Sequence, residues 1–114
     1  MDNKQNHPVP EFKVRIDRTI NKDGSRVRAI ASVSIAGSFA VHGVKIVDGQ
    51  DGPFVQMPQN SYEKGGKRQY EDIFHPITSE ARSALSDAVL RMYEKEMREA
   101  EGEAMEAAVA DQRM

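Results

Sequence analysis

Residues 28–58 read RAIASVSIAGSFAVHGVKIVDGQDGPFVQMP, and this stretch decides the fold. Val27, Ala29, Ala31, Val33 and Ile35 alternate with Arg28, Ile30, Ser32 and Ser34, the period of two that a half-buried strand requires. Gly37-Ser38 turns the chain into a further strand, Phe39 to Val47, whose apolar residues fill both alternations and mark a strand covered on two sides. Asp48-Gly49-Gln50-Asp51-Gly52 offers two Asp-Gly pairs, residues that tolerate the positive φ of tight turns. Pro53 to Met57 is then a short strand that ends at Pro58.

Upstream, Phe12, Val14 and Ile16 alternate with Lys13, Arg15 and Asp17, and the polar link 21–25 closes an antiparallel hairpin with Val27–Ile35. Residues 1–11, polar and carrying prolines at 8 and 10, are expected to form a tail. Downstream, Gly65-Gly66 lies midway between Ser61 and Tyr70, which predicts a second hairpin returning through Tyr70 to Phe74 as a fifth strand. A two-residue turn there sets Lys64 opposite Lys67, Glu63 opposite Arg68 and Tyr62 opposite Gln69.

Thr78 is suited to cap a helix, with Glu80 in the first turn where the dipole favours an anion. Ala81, Ala84, Leu85, Ala88, Val89 and Met92 recur at helical spacing and form one apolar face. Thirty-five helical residues extend about 52 Å, against roughly 28 Å for the sheet region, so the helix outruns its own domain. The expectation is an α+β domain over residues 12–100, an antiparallel sheet of about five strands under one long helix, with an acidic helix end at 101–114.

Composition narrows the functional classes. The chain has 114 residues and no cysteine, which excludes disulfides and thiolate metal sites and suits the cytoplasm. No run of 18 apolar residues suggests a membrane span. The net charge of −2 conceals an asymmetry: residues 1–77 carry eleven Lys or Arg against nine Asp or Glu, and residues 78–114 carry five against nine. A basic face on the first part remains compatible with that balance. No nucleophile elbow, phosphate-cradling loop or paired-carboxylate site is present, which argues against an enzyme. His42 and His75 lack a ligand set and read as structural, and Asp48 and Asp51 read as turn formers rather than a calcium loop. Neither a cofactor nor a metal is expected.

The blocks Arg28–Ser32, Phe39–His42, Ile46–Gly49, Gly52–Val55, Met57-Pro58, Asp72-Ile73 and His75–Ile77, in this order and spacing, resemble the SpoVG family of sporulation and septation regulators. The resemblance covers roughly Lys13 to Tyr93. It implies a non-enzymatic DNA-binding regulator, with RNA as a second candidate ligand, acting as a homodimer joined through sheet edges. Two departures fall near the implied binding surface: the interval Gln59–Glu71 is a few residues longer than is usual in the family, and Glu71 stands where a basic residue commonly precedes Asp72-Ile73.

The residues singled out for nucleic-acid contact are Lys64, Lys67, Arg68 and Tyr62 on the second hairpin, with Tyr70 as a further stacking residue. Thr78, Ser79 and Arg82 at the helix start join them, because free backbone amides there attract anions and because the resemblance associates this segment with DNA recognition. Solvated lysines on a hairpin edge and plain helix capping are the structural alternatives. Arg15, Arg18, Arg26 and Arg28 read as a partly neutralised solvent face, with Arg28 placed to brace Asp48. The competing function is a protein-interaction module that uses the acidic helix end.

Overall fold

The computed structural model of the chain describes residues 9–113, with side chains through residue 100. Most of the expected N-terminal tail, and the side chains of the acidic helix end, lie outside the described residues. Strands β1 (Phe12–Thr19), β2 (Val27–Ile35), β3 (Phe39–Gly49), β4 (Gly52–Gln56), β5 (Gln59–Lys64) and β6 (Lys67–Asp72) precede one helix, α1 (Ser79–Arg113). The first four form an antiparallel sheet in the order β1-β2-β3-β4, while β5 and β6 pair only with each other. The architecture is α+β, as the pattern predicts.

One expectation is corrected: the fifth strand does not extend the sheet. Pro58 stands between Gln56 and Gln59 without an amide to donate, and β5 is polar and exposed at every position, so nothing draws it onto the sheet's buried face. A separate ribbon results. Its return strand ends at Asp72 rather than Phe74, and its base is tied by the Ile73 amide donating to the Pro58 carbonyl at 2.8 Å.

Burial follows the alternation read from β2. Ala29, Ala31 and Val33 are fully covered and meet Val44 and Ile46 of β3, Met57 after β4, and Leu85 and Val89 of α1. Phe12, Val14 and Ile16 close this core along β1. The helix covers the sheet with its first four turns. Beyond Tyr93 every residue to Ala100 except Met97 is exposed, as expected of a helix longer than its support. A radius of gyration of 18.0 Å, against about 13 Å for a compact chain of this length, reflects that projection together with the ribbon.

Three bulges break the sheet's regularity, one at Arg28, where Val27 and Ala29 face the adjacent Val47 and Ile46, and two beside Ser32. Between β1 and β2 the register skips Asp17, and between β2 and β3 Ser32 faces both His42 and Gly43. Gly43 adopts φ of +80° there, which a bulge tolerates in glycine. In the β2–β3 turn Ala36 holds φ of +54°, a left-handed conformation that costs an L-residue about 1–2 kcal/mol. Ala36→Gly is therefore expected to raise stability by up to about 1 kcal/mol, measured by urea unfolding, because part of the relief is offset by the freer unfolded chain.

Candidate nucleic-acid interface

The ribbon is built by its turn. Gly65 and Gly66 take φ of +61° and +78°, the two positive values of a type I′ hairpin turn, whose twist matches that of the flanking strands. The pairs are Gln59–Asp72, Asn60–Glu71, Ser61–Tyr70, Tyr62–Gln69, Glu63–Arg68 and Lys64–Lys67, so the register read from the sequence holds at each of its three predicted pairs. Alternation then assigns faces. Asn60, Tyr62, Lys64, Lys67, Gln69 and Glu71 share one; Gln59, Ser61, Glu63, Arg68, Tyr70 and Asp72 share the other.

This divides the residues proposed from sequence. Tyr62, Lys64 and Lys67 stand together on one exposed face, with only Glu71 against them, one strand length away near the ribbon base. Arg68 lies on the opposite face beside Tyr70, directly across from Glu63, and its guanidinium donates to Ser61 Oγ at 3.4 Å. That second face carries one cation against two carboxylates, Glu63 and Asp72. Tyr62 is 44% exposed and Tyr70 67%, so both rings are open to a base, but only Tyr62 has lysines on its side.

Thr78, Ser79 and Arg82 sit elsewhere. The tip stands about 17 Å from the ribbon base at about 3.4 Å per residue, whereas the helix begins just past that base. At the helix start Thr78 Oγ1 accepts from the Ala81 amide at 3.1 Å, the Thr78 carbonyl accepts from the Arg82 amide at 3.0 Å, and Arg82 Nη2 reaches the Pro76 carbonyl at 3.4 Å. Thr78 is thus an N-cap. Thr78→Ala should cost about 1 kcal/mol, readable as a lower urea midpoint with an unchanged m-value.

Two of the sheet's four arginines meet carboxylates, in agreement with their reading as a partly neutralised face. Arg15 Nε donates to Asp17 Oδ1 at 2.7 Å. Arg28 Nε donates to Asp48 Oδ2 at 2.8 Å, the expected brace, while Arg26 Nε donates to the Asp48 carbonyl at 3.0 Å.

One constellation escaped the sequence reading. On the sheet face away from α1, Ser32 Oγ donates to Asp17 Oδ2 at 2.5 Å and lies 2.7 Å from His42 Nδ1. Ser32 is the one buried polar side chain among the described residues. The two bulges beside Ser32 create this row, because each swings a side chain of a flanking strand onto Ser32; alternation alone, the only signal in the sequence, does not reveal them. The Ser32 hydroxyl first, and Arg15 second, hold the Asp17 carboxyl below its usual range. Its folded value being depressed, Asp17 contributes stability at pH above the unfolded carboxylate range and loses it as pH falls through the folded value. The stability gap between wild type and Asp17→Asn should therefore narrow between neutral pH and pH 3, measured by thermal unfolding. With the hydroxyl between acid and imidazole, the row is not the order of a hydrolytic relay, in which the imidazole stands between.

Among the described residues no group of three or more His, Asp or Glu side chains could hold a metal, and no helix is long and apolar enough to cross a membrane.

Comparison with known proteins places these elements in a family. The SpoVG family model matches residues 10–95. A protein named "Putative septation protein SpoVG" from Desulforudis audaxviator is 43% identical over 81 residues, covering 71% of this chain and 86% of that protein. The protein of the same name from Bacillus subtilis strain 168 is 42% identical over 78 residues, 68% of this chain and 76% of its own length. That of Thermoanaerobacter sp. strain X514 is 38% identical over 78 residues, 68% and 80% respectively. These relatives are named as septation proteins and not as enzymes. The match takes in the whole four-stranded sheet, the ribbon and the first half of α1, and on that extent this chain belongs to the SpoVG family.

Proposed function

We propose that the chain is a non-catalytic regulator of septation that binds nucleic acid in the cytoplasm as a homodimer. The observation that carries this reading is the projecting ribbon with Tyr62, Lys64 and Lys67 on one exposed face. Opposed lysines at a hairpin end repel each other, and a phosphate between them removes that repulsion while Tyr62 offers a ring to a neighbouring base. No side chain of the ribbon is buried, so its sequence is free to serve contact rather than packing. Dimerisation through the unpaired edges of β1 or β4 would cover backbone groups that a small sheet otherwise leaves open. It would also present two ribbons to one ligand.

DNA is the first candidate ligand and RNA the second. Two lysines from each of two subunits neutralise about four phosphates, which predicts a salt slope near −3.6 and a loss of about a hundredfold in affinity between 50 and 200 mM salt on duplex DNA. A shift assay on random DNA and RNA pools over that range tests the reading. Affinity independent of salt, or none for either pool, would remove it.

A second reading has its own observation: from Glu94 to Ala100 every residue of α1 except Met97 is exposed. In that reading the acidic helix end engages another protein. Truncation after Glu101 is then expected to abolish partner capture and to leave nucleic-acid affinity unchanged or raised, since negative charge is removed.

A further inference from the structure

The sheet has a second face that α1 does not cover. Its members follow from the register: Lys13, Ser34 and Ala40 form one row across β1, β2 and β3, Arg18, Ile30, Lys45 and Gln56 another across all four strands, and Val27, Val47 and Phe54 a third. Between the first two rows stand Arg15 and the Asp17–Ser32–His42 cluster. None of Val27, Ile30, Val47 and Phe54 belongs to the core beneath the helix, yet Val47 is buried, so these four make an apolar patch of their own. Phe54 is 46% exposed, and its ring lies over the backbone of Gly49, where an added Cβ would come within 2.9 Å of it.

The charge on this face is one-sided. Lys13, Arg15, Arg18 and Lys45 are exposed, and within these rows Asp17 is the one carboxylate, already met by Ser32 and Arg15. Lys13, Arg18 and Lys45 form no ion pair with any described residue. Lys13 and Arg15 stand about 7 Å apart, two residues of strand, with Arg18 beyond the bulge; Ile30 lies between Arg18 and Lys45, about 4.8 Å from the strand of each. Cations interleaved with apolar side chains, one of them an aromatic ring, fit a ligand that presents negative charge and flat apolar surface together. An unpaired nucleic-acid strand does so. A duplex stacks its bases inside and turns mainly phosphate and sugar outward, which would leave the apolar patch against charged groups.

We propose, on the reading that the chain binds nucleic acid, that this open face takes a single strand of DNA or RNA and is a surface separate from the ribbon. Lys13, Arg18 and Lys45 hold the phosphates, and Ile30 and Phe54 carry the bases. Joining two copies through sheet edges leaves the face uncovered, since edge pairing extends a sheet in its own plane.

Fluorescence anisotropy on the full-length chain, with an oligothymidylate of about twelve nucleotides and a duplex of matching length, tests this. In Lys13→Ala/Arg18→Ala/Lys45→Ala the oligothymidylate should bind about tenfold or more weakly, with a salt slope smaller by about two, while duplex affinity changes less than about threefold. Phe54→Leu, which keeps apolar bulk over Gly49 but offers no ring, should weaken the oligothymidylate about fivefold and leave the duplex unaffected. Thermal unfolding checks that each variant is folded, and glutamine at the same three positions replaces alanine if the first variant is destabilised. Oligothymidylate affinity unchanged in both sheet variants, or absent in the wild type, overturns the proposal; if Lys64→Ala/Lys67→Ala still loses the duplex, the ribbon reading stands without it. Loss in the sheet variants with no effect of the ribbon pair on either ligand keeps the sheet face and removes the ribbon. Displacement of the oligothymidylate by polyglutamate with equal potency, together with a silent Phe54→Leu, would assign the face to an acidic protein segment and likewise overturn the proposal.

Discussion

Replacing Lys64 and Lys67 together by alanine is expected to lower nucleic-acid affinity by tenfold or more at 0.1 M salt and to reduce the salt slope by about two for each subunit in contact. Arg68→Ala should change affinity less than about threefold. The contrast follows from the ribbon's register, which puts the two lysines with Tyr62 and turns Arg68 toward Glu63. Thermal stability should hardly move in any of these variants, because every residue concerned is exposed and surface substitutions rarely exceed about 0.5 kcal/mol. Fluorescence anisotropy at several salt concentrations separates the outcomes. A loss caused by Arg68→Ala equal to that of the double variant would place the ligand on the other face.

Leu85→Ala should cost about 2–5 kcal/mol, a large share of the roughly 5–15 kcal/mol that holds a domain together. Leu85 is fully buried and packs in one cluster with Ala29, Val33, Ile46 and Val89, so its removal leaves a cavity where helix and sheet meet. The small side chains of β2 cannot fill it. Leu85→Met, of similar volume, should cost less than about 1.5 kcal/mol. Urea unfolding measures both, and equal losses would mean that shape, rather than volume, governs this contact.

The legibility of the fold in the sequence varied with the physics behind each element. Strand β2 was readable to the residue because alternation of apolar and polar side chains reports one buried face, and α1 because Ala81 to Met92 repeat at helical spacing. The ribbon's register was readable because two consecutive glycines leave little choice of turn. Its detachment from the sheet was harder: a polar strand after a proline can sit at a sheet edge or stand alone, and local pattern does not separate the two.

The candidate site was legible in part for the same reason. Lys64 and Lys67 follow from the turn, and alternation assigns them to the face of Tyr62, whereas Arg68, adjacent in sequence and equally basic, falls on the opposite face. Thr78 was read both as anion site and as cap, and its hydroxyl is engaged as a cap. The Asp17–Ser32–His42 row was not legible at all, since it depends on two bulges that bring residues 15 and 10 positions from Ser32 onto one hydroxyl. Bulges shift a register by one, and nothing in residues 16–18 or 42–43 apart from Gly43 announces them.

The central claim, that the projecting ribbon meets the ligand through one face, is tested most directly by titrating isotopically labelled protein with a short DNA duplex and mapping backbone amide shifts. The account predicts the largest early changes at Tyr62, Lys64, Gly65, Gly66, Lys67 and Gln69, fading as salt rises. Changes confined to α1, or an unperturbed ribbon at saturating duplex, would contradict it.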